Sequence, residues 1–170
     1  MKTKSLDLGC GKVVRNIFNA DEYYGIDFEE DLQKNIFKCD LAIEPIPFSD
    51  NYFDFVTACD VIEHIPRIIY NPNCRFCFVE LMNEIYRILK PNGIFYSHTP
   101  AFPHSQAWRD PTHVNIITDE TFPFYFCNEM NYATNYGFEG CFEMMEQKWS
   151  KNIPWVLETT LMKPNKNLIY

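Results

Sequence analysis

Apolar residues in the first half of the chain fall in short runs separated by turn formers. Residues 4–8 (Lys-Ser-Leu-Asp-Leu) lean apolar and end at Gly9-Cys10-Gly11, the pattern of a strand entering a tight glycine turn. Residues 12–19 place apolar groups at 13, 14, 17 and 18, which is helical spacing and predicts a helix. Residues 23–28 (Tyr-Tyr-Gly-Ile-Asp-Phe) read as a second strand with an acid near its end. The connection from Glu29 to Asn35 is too short and polar for a crossover helix, and its Glu29-Glu30-Asp31 run reads as a solvated turn. Residues 36–40 form a third candidate strand, again ending in Asp. After the turn-rich stretch 45–51, residues 53–59 are close to continuously apolar, as expected of a buried parallel strand.

A short helix is expected over 60–65 and an irregular stretch over 66–77. The clearest helix is Phe78 to Leu89, with apolar positions 78, 79, 81, 82, 85, 86, 88 and 89 set against Glu80, Asn83, Glu84 and Arg87. Lys90-Pro91-Asn92-Gly93 ends it, and residues 94–97 follow as a strand. Residues 98–136 lack clear periodicity, hold three of the four histidines and are rich in aromatics, which marks them as an insertion forming the substrate side of a single 1–170 domain. Residues 137–149 and 154–162 read as two final strands. Strands alternating with helices predict an α/β fold with a mostly parallel sheet. In such sheets ligands bind outside the carboxyl ends of the strands, where the strand order reverses.

Composition narrows the possibilities. The 170 residues are 46% hydrophobic and 22% charged, the profile of a folded globular chain. No stretch approaches a membrane span, and Met1 to Asp7 contain no signal-peptide core. The net charge of −8 disfavours nucleic acid and anionic membrane surfaces as partners. Seven cysteines without framework spacing suggest reduced thiols and a cytoplasmic location.

The strand ends carry the chemistry. Gly9 and Gly11 let a ligand approach the backbone. Asp27, at the end of the second strand, is placed to accept two hydrogen bonds from a ribose diol, and Asp40 is placed to accept from an adenine amine. Cys59-Asp60 ends the fourth strand. A dinucleotide fingerprint, G-x-G-x-x-G, fails at Val14, which argues against a nicotinamide-dependent oxidoreductase.

Four motifs in order then resemble the class I S-adenosylmethionine-dependent methyltransferases, and among them the small-molecule group called type 11. They are Leu6-Asp7-Leu8-Gly9-Cys10-Gly11, Ile46-Pro47-Phe48-Ser49-Asp50-Asn51-Tyr52-Phe53-Asp54, Asp60-Val61-Ile62-Glu63-His64-Ile65, and Glu84-Ile85-Tyr86-Arg87-Ile88-Leu89-Lys90-Pro91-Asn92-Gly93. Residues 98–118, including Asp110-Pro111-Thr112-His113, resemble a segment of some members linked to sugar or surface-polysaccharide modification. The resemblance implies a Rossmann-like three-layer sandwich whose seven-stranded, mostly parallel sheet has its last strand antiparallel. It implies S-adenosylmethionine as cofactor, S-adenosylhomocysteine as product, and O- or N-methylation of a small-molecule or sugar-like acceptor.

By the same resemblance Asp7, Gly9, Cys10 and Gly11 line the methionine part and Asp27 with Phe28 the ribose. Asp40 and Leu41 flank the adenine, Asp60 and His64 lie near the sulfonium and the substrate mouth, and Cys59 is counted with the cofactor-binding residues. Val13 stands where the family carries a third glycine, and is expected to narrow the pocket. About five residues precede the first strand where relatives have a covering helix; the expected consequence is an open site, cover by a second subunit in a homodimer, or a longer natural amino terminus. The same two features favour the alternative of a catalytically inactive binding module on this fold.

A hydroxyl or ammonium acceptor needs a general base near neutral pKa, and His113 and His64 are the candidates. His113 can equally serve as a hydrogen-bonding anchor of the insertion. His104, Asp110 and His113 share one loop but match no metal spacing, and Cys74-x-x-Cys77 lacks a second pair, so no metal is expected. The aromatics Phe102, Trp108, Phe122, Phe124, Tyr125 and Phe126 either wall a pocket or pack the insertion onto the sheet.

Overall fold

Short apolar runs between turn residues become the strands of one sheet. In the computed structural model, which describes residues 2–127 and 130–165, these are β1 (Lys4–Leu8), β2 (Glu22–Asp27), β3 (Ile36–Lys38), β4 (Phe53–Cys59), β5 (Leu89–Pro100), β6 (Glu143–Trp149) and β7 (Val156–Met162). Their spatial order is β3-β2-β1-β4-β5-β7-β6. β1 to β5 pair in parallel, while β7 runs antiparallel to both β5 and β6. This is the Rossmann-like arrangement expected, with the last strand reversed. The order turns back between β1 and β4, which puts the ligand crevice at their carboxyl ends.

Helix α1 (Cys77–Ile88) repeats apolar residues three and four apart, so Phe78, Leu81, Met82, Ile85 and Ile88 share one face. They form a buried cluster with Leu6, Leu8, Ile26, Val56, Ala58, Phe95, Leu157 and Leu161 of the sheet. Two short helices, α2 (Gln106–Arg109) and α3 (Thr121–Phe126), lie in the segment after β5. Phe122 and Phe126 of α3 join Phe78, Phe95, Phe138 and Phe142 in an aromatic core. Arg87 of α1 ties the loop 45–51 to the helix: its guanidinium donates to the Phe48 and Ile46 carbonyls, to Asp50 and to Glu84, and Glu84 accepts from the Ile46 N–H.

Three expectations change. Residues 12–19 form turns, not a helix. Asp7 Oδ2 accepts from the Arg15 N–H at 2.8 Å, and the Asn16 side chain both accepts from the Ala20 N–H at 2.8 Å and donates to the Ala20 carbonyl at 3.0 Å. Side chains thus take backbone groups a helix would use, and eight residues are too few for a helix to persist unaided. Second, β5 begins at Leu89, five residues before the predicted strand. Leu89 pairs with Phe53 and Ile94 with Phe55, so Lys90–Gly93 is looped out of the strand rather than placed before it. Third, the strand predicted over 137–149 begins at Glu143, after a 3-10 turn at Tyr132–Tyr136.

The sheet's other face carries Ser5, Asp7, Phe55, Thr57 and Tyr96. It is covered by the helix-free segment 10–20, whose Phe18 stacks on Phe55 at 4.5 Å and meets Tyr96 edge-on. Toward β7 this face opens, and Ile94, Tyr96, His98, Glu158, Thr160 and Met162 are half-buried. No helix among the described residues is long and apolar enough to cross a membrane.

Candidate active site

The glycine turn after β1 is built from left-handed backbone. Gly9 has φ +62° and Gly11 φ +61°. A Cβ at Gly9 would stand 2.5 Å from Val61 Cγ2, so the turn lies directly against the segment following β4. A Cβ at Gly11 would meet nothing within 4 Å, so that end of the turn borders open space. The Asp27 carboxylate holds the turn: Oδ2 accepts from the Gly11 N–H and Oδ1 from the Phe28 N–H, each at 2.8 Å. Each oxygen keeps a lone pair for a further donor. Phe28, 68% exposed, presents an aromatic face beside it. Asp40 is half-buried and accepts from the Ala42 N–H at 3.0 Å, while Leu41 is buried beneath.

Three of the expected contacts have a different geometry. Asp7 is fully buried, and its carboxylate is taken up by the Thr57 hydroxyl at 2.9 Å and the Arg15 N–H at 2.8 Å. Burial raises its pKa. Its hydrogen bonds tie β1 to β4 and to the segment after the glycine turn. Cys10 is buried with its Sγ where a side chain at Gly25 would sit, and Cys59 is 8% exposed. Burial pushes these thiols up to about 11 and about 12, so both stay neutral. Val13, by contrast, is exposed.

Asp60 continues the row. It has φ +55°, an uncommon conformation for a non-glycine residue, and its side chain is half exposed. It also lines a cavity of about 590 Å³ together with Glu63, His64, His98, Arg109, His113 and Trp155. His98 Nδ1 lies 3.3 Å from Asp60 Oδ1, within ion-pair distance but without hydrogen-bond alignment, and the neighbouring carboxylate raises the histidine's pKa.

His64 and His113 meet because two distant segments are clamped together. The Val114 and Asn115 N–H groups both donate to the Glu63 carbonyl at 2.9 Å, and the Asn115 side-chain amide donates to the Ile62 carbonyl at 3.0 Å. Arg67 donates to Asn115 and to the Ile116 carbonyl. The two imidazoles stand edge to face with centroids 4.8 Å apart. His64 Nδ1 contacts the Thr112 carbonyl at 3.3 Å and its hydroxyl at 3.0 Å, and that hydroxyl already donates to Asp110 at 2.6 Å. His113 Nδ1 contacts the Ala107 carbonyl at 3.2 Å. These contacts are met by the tautomer with the proton on Nδ1, which leaves the Nε2 lone pair toward the cavity.

Glu63 is 1% exposed, with Oε2 accepting from the Thr99 hydroxyl at 2.8 Å and Oε1 buried without a hydrogen-bond partner. Glu63, His64 and His113 bring one ligating atom each to within 4.8 Å of one another.

Both expected histidines are therefore in one cavity. His104 is not among its lining residues and packs against Trp149. None of the six aromatics considered as pocket walls lines this cavity, but Phe124, Tyr125 and Phe126 line a separate one of about 580 Å³ with Phe76, Tyr132 and Tyr136; Phe122 is core, and Phe102 and Trp108 are exposed. Sequence reasoning missed Glu63, Arg109 and Trp155, and placed His98 on the ligand side without a role. Glu63 sits inside a quoted motif beside His64, so its signal was present; Trp155 comes from the turn just before β7, distant in sequence, and carried none.

Comparison with known proteins agrees with this geometry. Residues 6–97 match the methyltransferase domain family of type 11. Curated relatives include the demethylmenaquinone methyltransferases of Listeria monocytogenes and Listeria welshimeri, each 28% identical over 126 residues covering 63% of this chain. The chain spans about half the length of these relatives, 48% and 49%. Among solved structures, an S-adenosylmethionine-dependent methyltransferase from Mesorhizobium loti superposes with a TM-score of 0.62 at 14% identity, covering 95% of this chain and 91% of that one. The [4+2]-cyclase SpnF superposes at 0.64 with 17% identity, covering 96% and 75%. At these identities the two structures establish the fold alone.

Proposed function

Because the chain belongs to the type 11 methyltransferase family, we propose that it transfers a methyl group from S-adenosylmethionine to a hydroxyl or amine of a small-molecule or sugar-like acceptor bound in the cavity beside Asp60. The observation that carries this reading is the continuity of the two halves. The glycine turn, Asp27 and Asp40 lie along the carboxyl ends of β1, β2 and β3, and Asp60, at the end of β4, borders both that row and the cavity. The residues suit the cofactor: the open space at Gly11 admits a ligand against backbone, and the lone pairs left on Asp27 fit a ribose diol.

In this reading Asp27 takes the ribose hydroxyls, Phe28 and Asp40 with Leu41 flank the adenine, and Gly9 to Gly11 hold the methionine part. Asp7 acts from below, by fixing the turn. The bound cofactor supplies an activated methyl and a neutral leaving group. The protein's task is to hold the acceptor oxygen or nitrogen in line, which contributes up to about 7–11 kcal/mol in favourable cases. His64 or His113 takes the acceptor's proton on its Nε2 lone pair. Arg109 and Gln106 at the cavity wall offer donors to polar acceptor groups, and the insertion 98–136 supplies much of this side.

The test is calorimetric titration of the chain with S-adenosylhomocysteine, with nicotinamide dinucleotide as control, followed by transfer of labelled methyl to a panel of sugars and small hydroxyl and amine compounds. Saturable binding of the first ligand alone is expected, weakened about tenfold or more in Asp27→Ala through loss of two hydrogen bonds. An unchanged affinity in that variant would remove the ribose assignment. Binding without transfer to any acceptor would favour an inactive binding module.

A further inference from the structure

The cavity contains more Lewis base than a proton-transfer site requires. The buried Glu63 Oε1 has no hydrogen-bond partner, and one carboxylate oxygen of Glu63 stands with one ring nitrogen each of His64 and His113 inside a span of 4.8 Å. An unpartnered buried carboxylate oxygen is costly. Each of the three groups is also held by an outer contact on its other side: Thr99 on Glu63 Oε2, Thr112 on His64 Nδ1, and the Ala107 carbonyl on His113 Nδ1. Asp110 in turn accepts from both the Thr112 hydroxyl and its N–H. Metal-ligating histidines and carboxylates are typically oriented by such outer contacts. The wider cavity wall adds Asp60 and Asp110 against a single Arg109, a balance that favours a cation.

We propose that Glu63, His64 and His113 bind one divalent transition-metal ion, coordinated by Glu63 Oε1 and the two Nε2 atoms, with positions left open toward the cavity. Two imidazoles and one carboxylate suit zinc, cobalt, iron or manganese better than magnesium or calcium, which prefer oxygen ligands throughout. Ligand atoms around an ion with bonds of about 2.0–2.2 Å stand roughly 3.3 Å apart, so closing from 4.8 Å takes side-chain adjustment of about 1 Å. His104 and Cys74 take no part. The consequence for catalysis rests on the reading of this cavity as the acceptor site. A hydroxyl coordinated at an open position loses its proton to water more readily, and its oxygen is fixed for attack. The two imidazoles then serve as ligands, and the ion takes over the base's task.

The experiment uses the full chain after chelator treatment, titrated with Co²⁺ and then Zn²⁺ and read by visible absorption and calorimetry. One equivalent of Co²⁺ is expected, with bands typical of nitrogen and oxygen ligands, and displaced by Zn²⁺. Affinity is expected to fall at least tenfold in His113→Ala and in the near-isosteric Glu63→Gln, each checked for folding by thermal unfolding, and to persist in Cys74→Ser/Cys77→Ser. Absence of saturable binding, thiolate-to-cobalt charge transfer, or equal affinity in His113→Ala and Glu63→Gln would each overturn the assignment. S-adenosylhomocysteine titrated into the same samples separates the two ideas. Retained nucleoside binding without cobalt binding rejects the metal alone, whereas cobalt binding without nucleoside binding rejects the methyltransferase reading and leaves the metal site standing.

Discussion

Gly9 and Gly11 share a left-handed φ but not an environment, and the difference is measurable. An alanine at Gly11 meets open space, so its cost is the backbone alone, about 1–2 kcal/mol. An alanine at Gly9 adds an overlap with Val61, about a further 1–3 kcal/mol. Denaturant unfolding is expected to rank Gly9→Ala below Gly11→Ala, and Val61→Ala to rescue part of the first and none of the second. Equal losses at the two positions would show that Val61 yields without cost. A second residue-scale test concerns His98. The adjacent Asp60 carboxylate raises its pKa above the ordinary 6.5, so the folded chain holds that proton more tightly than the unfolded one. Stability from the pair is complete below pH 6.5 and is lost as pH rises through the folded value. Asp60→Asn keeps a residue that tolerates φ +55° and removes the charge. The stability difference between the native chain and this variant is expected to be largest in mild acid and to shrink on the alkaline side; a difference independent of pH would remove the ion pair as its source.

At the scale of elements, legibility followed the range of the forces involved. β4 was readable to the residue, and α1 to within one, because a continuous apolar run and a repeated three-and-four spacing are local signals that burial then satisfies. The positions of Asp27, at the end of β2, and Asp40, two residues past β3, were readable because a parallel sheet brings the segments after its strands to one edge. Residues 12–19 misled because their spacing was right but their hydrogen bonds were captured from elsewhere, by Asp7 in the preceding strand and by Asn16 within the loop. Likewise the pairing of His64 with His113 depends on the Asn115 clamp, which joins segments some fifty residues apart and leaves no periodic trace. The loop's origin can be checked. Asn16→Ala removes the bonds to both Ala20 backbone groups and adds the best helix former. If side-chain capture holds the loop, stability falls by about 1–2 kcal/mol with no gain in far-ultraviolet helicity. A gain in helicity would mean the segment was a helix restrained only by Asn16.

For the whole molecule, the two faces of the sheet carry unequal loads. One face meets α1 and the aromatic core of α3, Phe138 and Phe142; the other is roofed by a helix-free segment that stops short of β7. That asymmetry leaves the crevice and cavity accessible while stability is concentrated on the opposite side. Phe95 and Tyr96 test it, since they are adjacent in β5 and point to opposite faces. Phe95 is fully buried against Phe122 and Phe142, so Phe95→Ala opens a cavity in packed core and is expected to cost about 3–5 kcal/mol. Tyr96 is half-buried and touches Phe18 edge-on, so Tyr96→Ala is expected to cost about 1 kcal/mol. Unfolding midpoints in denaturant, measured at one slope, give both numbers. The predicted ratio holds only if the segment 10–20 is the whole cover of that face. If Tyr96→Ala proves as damaging as Phe95→Ala, the face is buried in solution by something more, and a second copy of the chain would be sought first, by repeating the measurement across protein concentration: stability that rises with concentration identifies self-association, whereas stability independent of it returns the load to the chain's own packing.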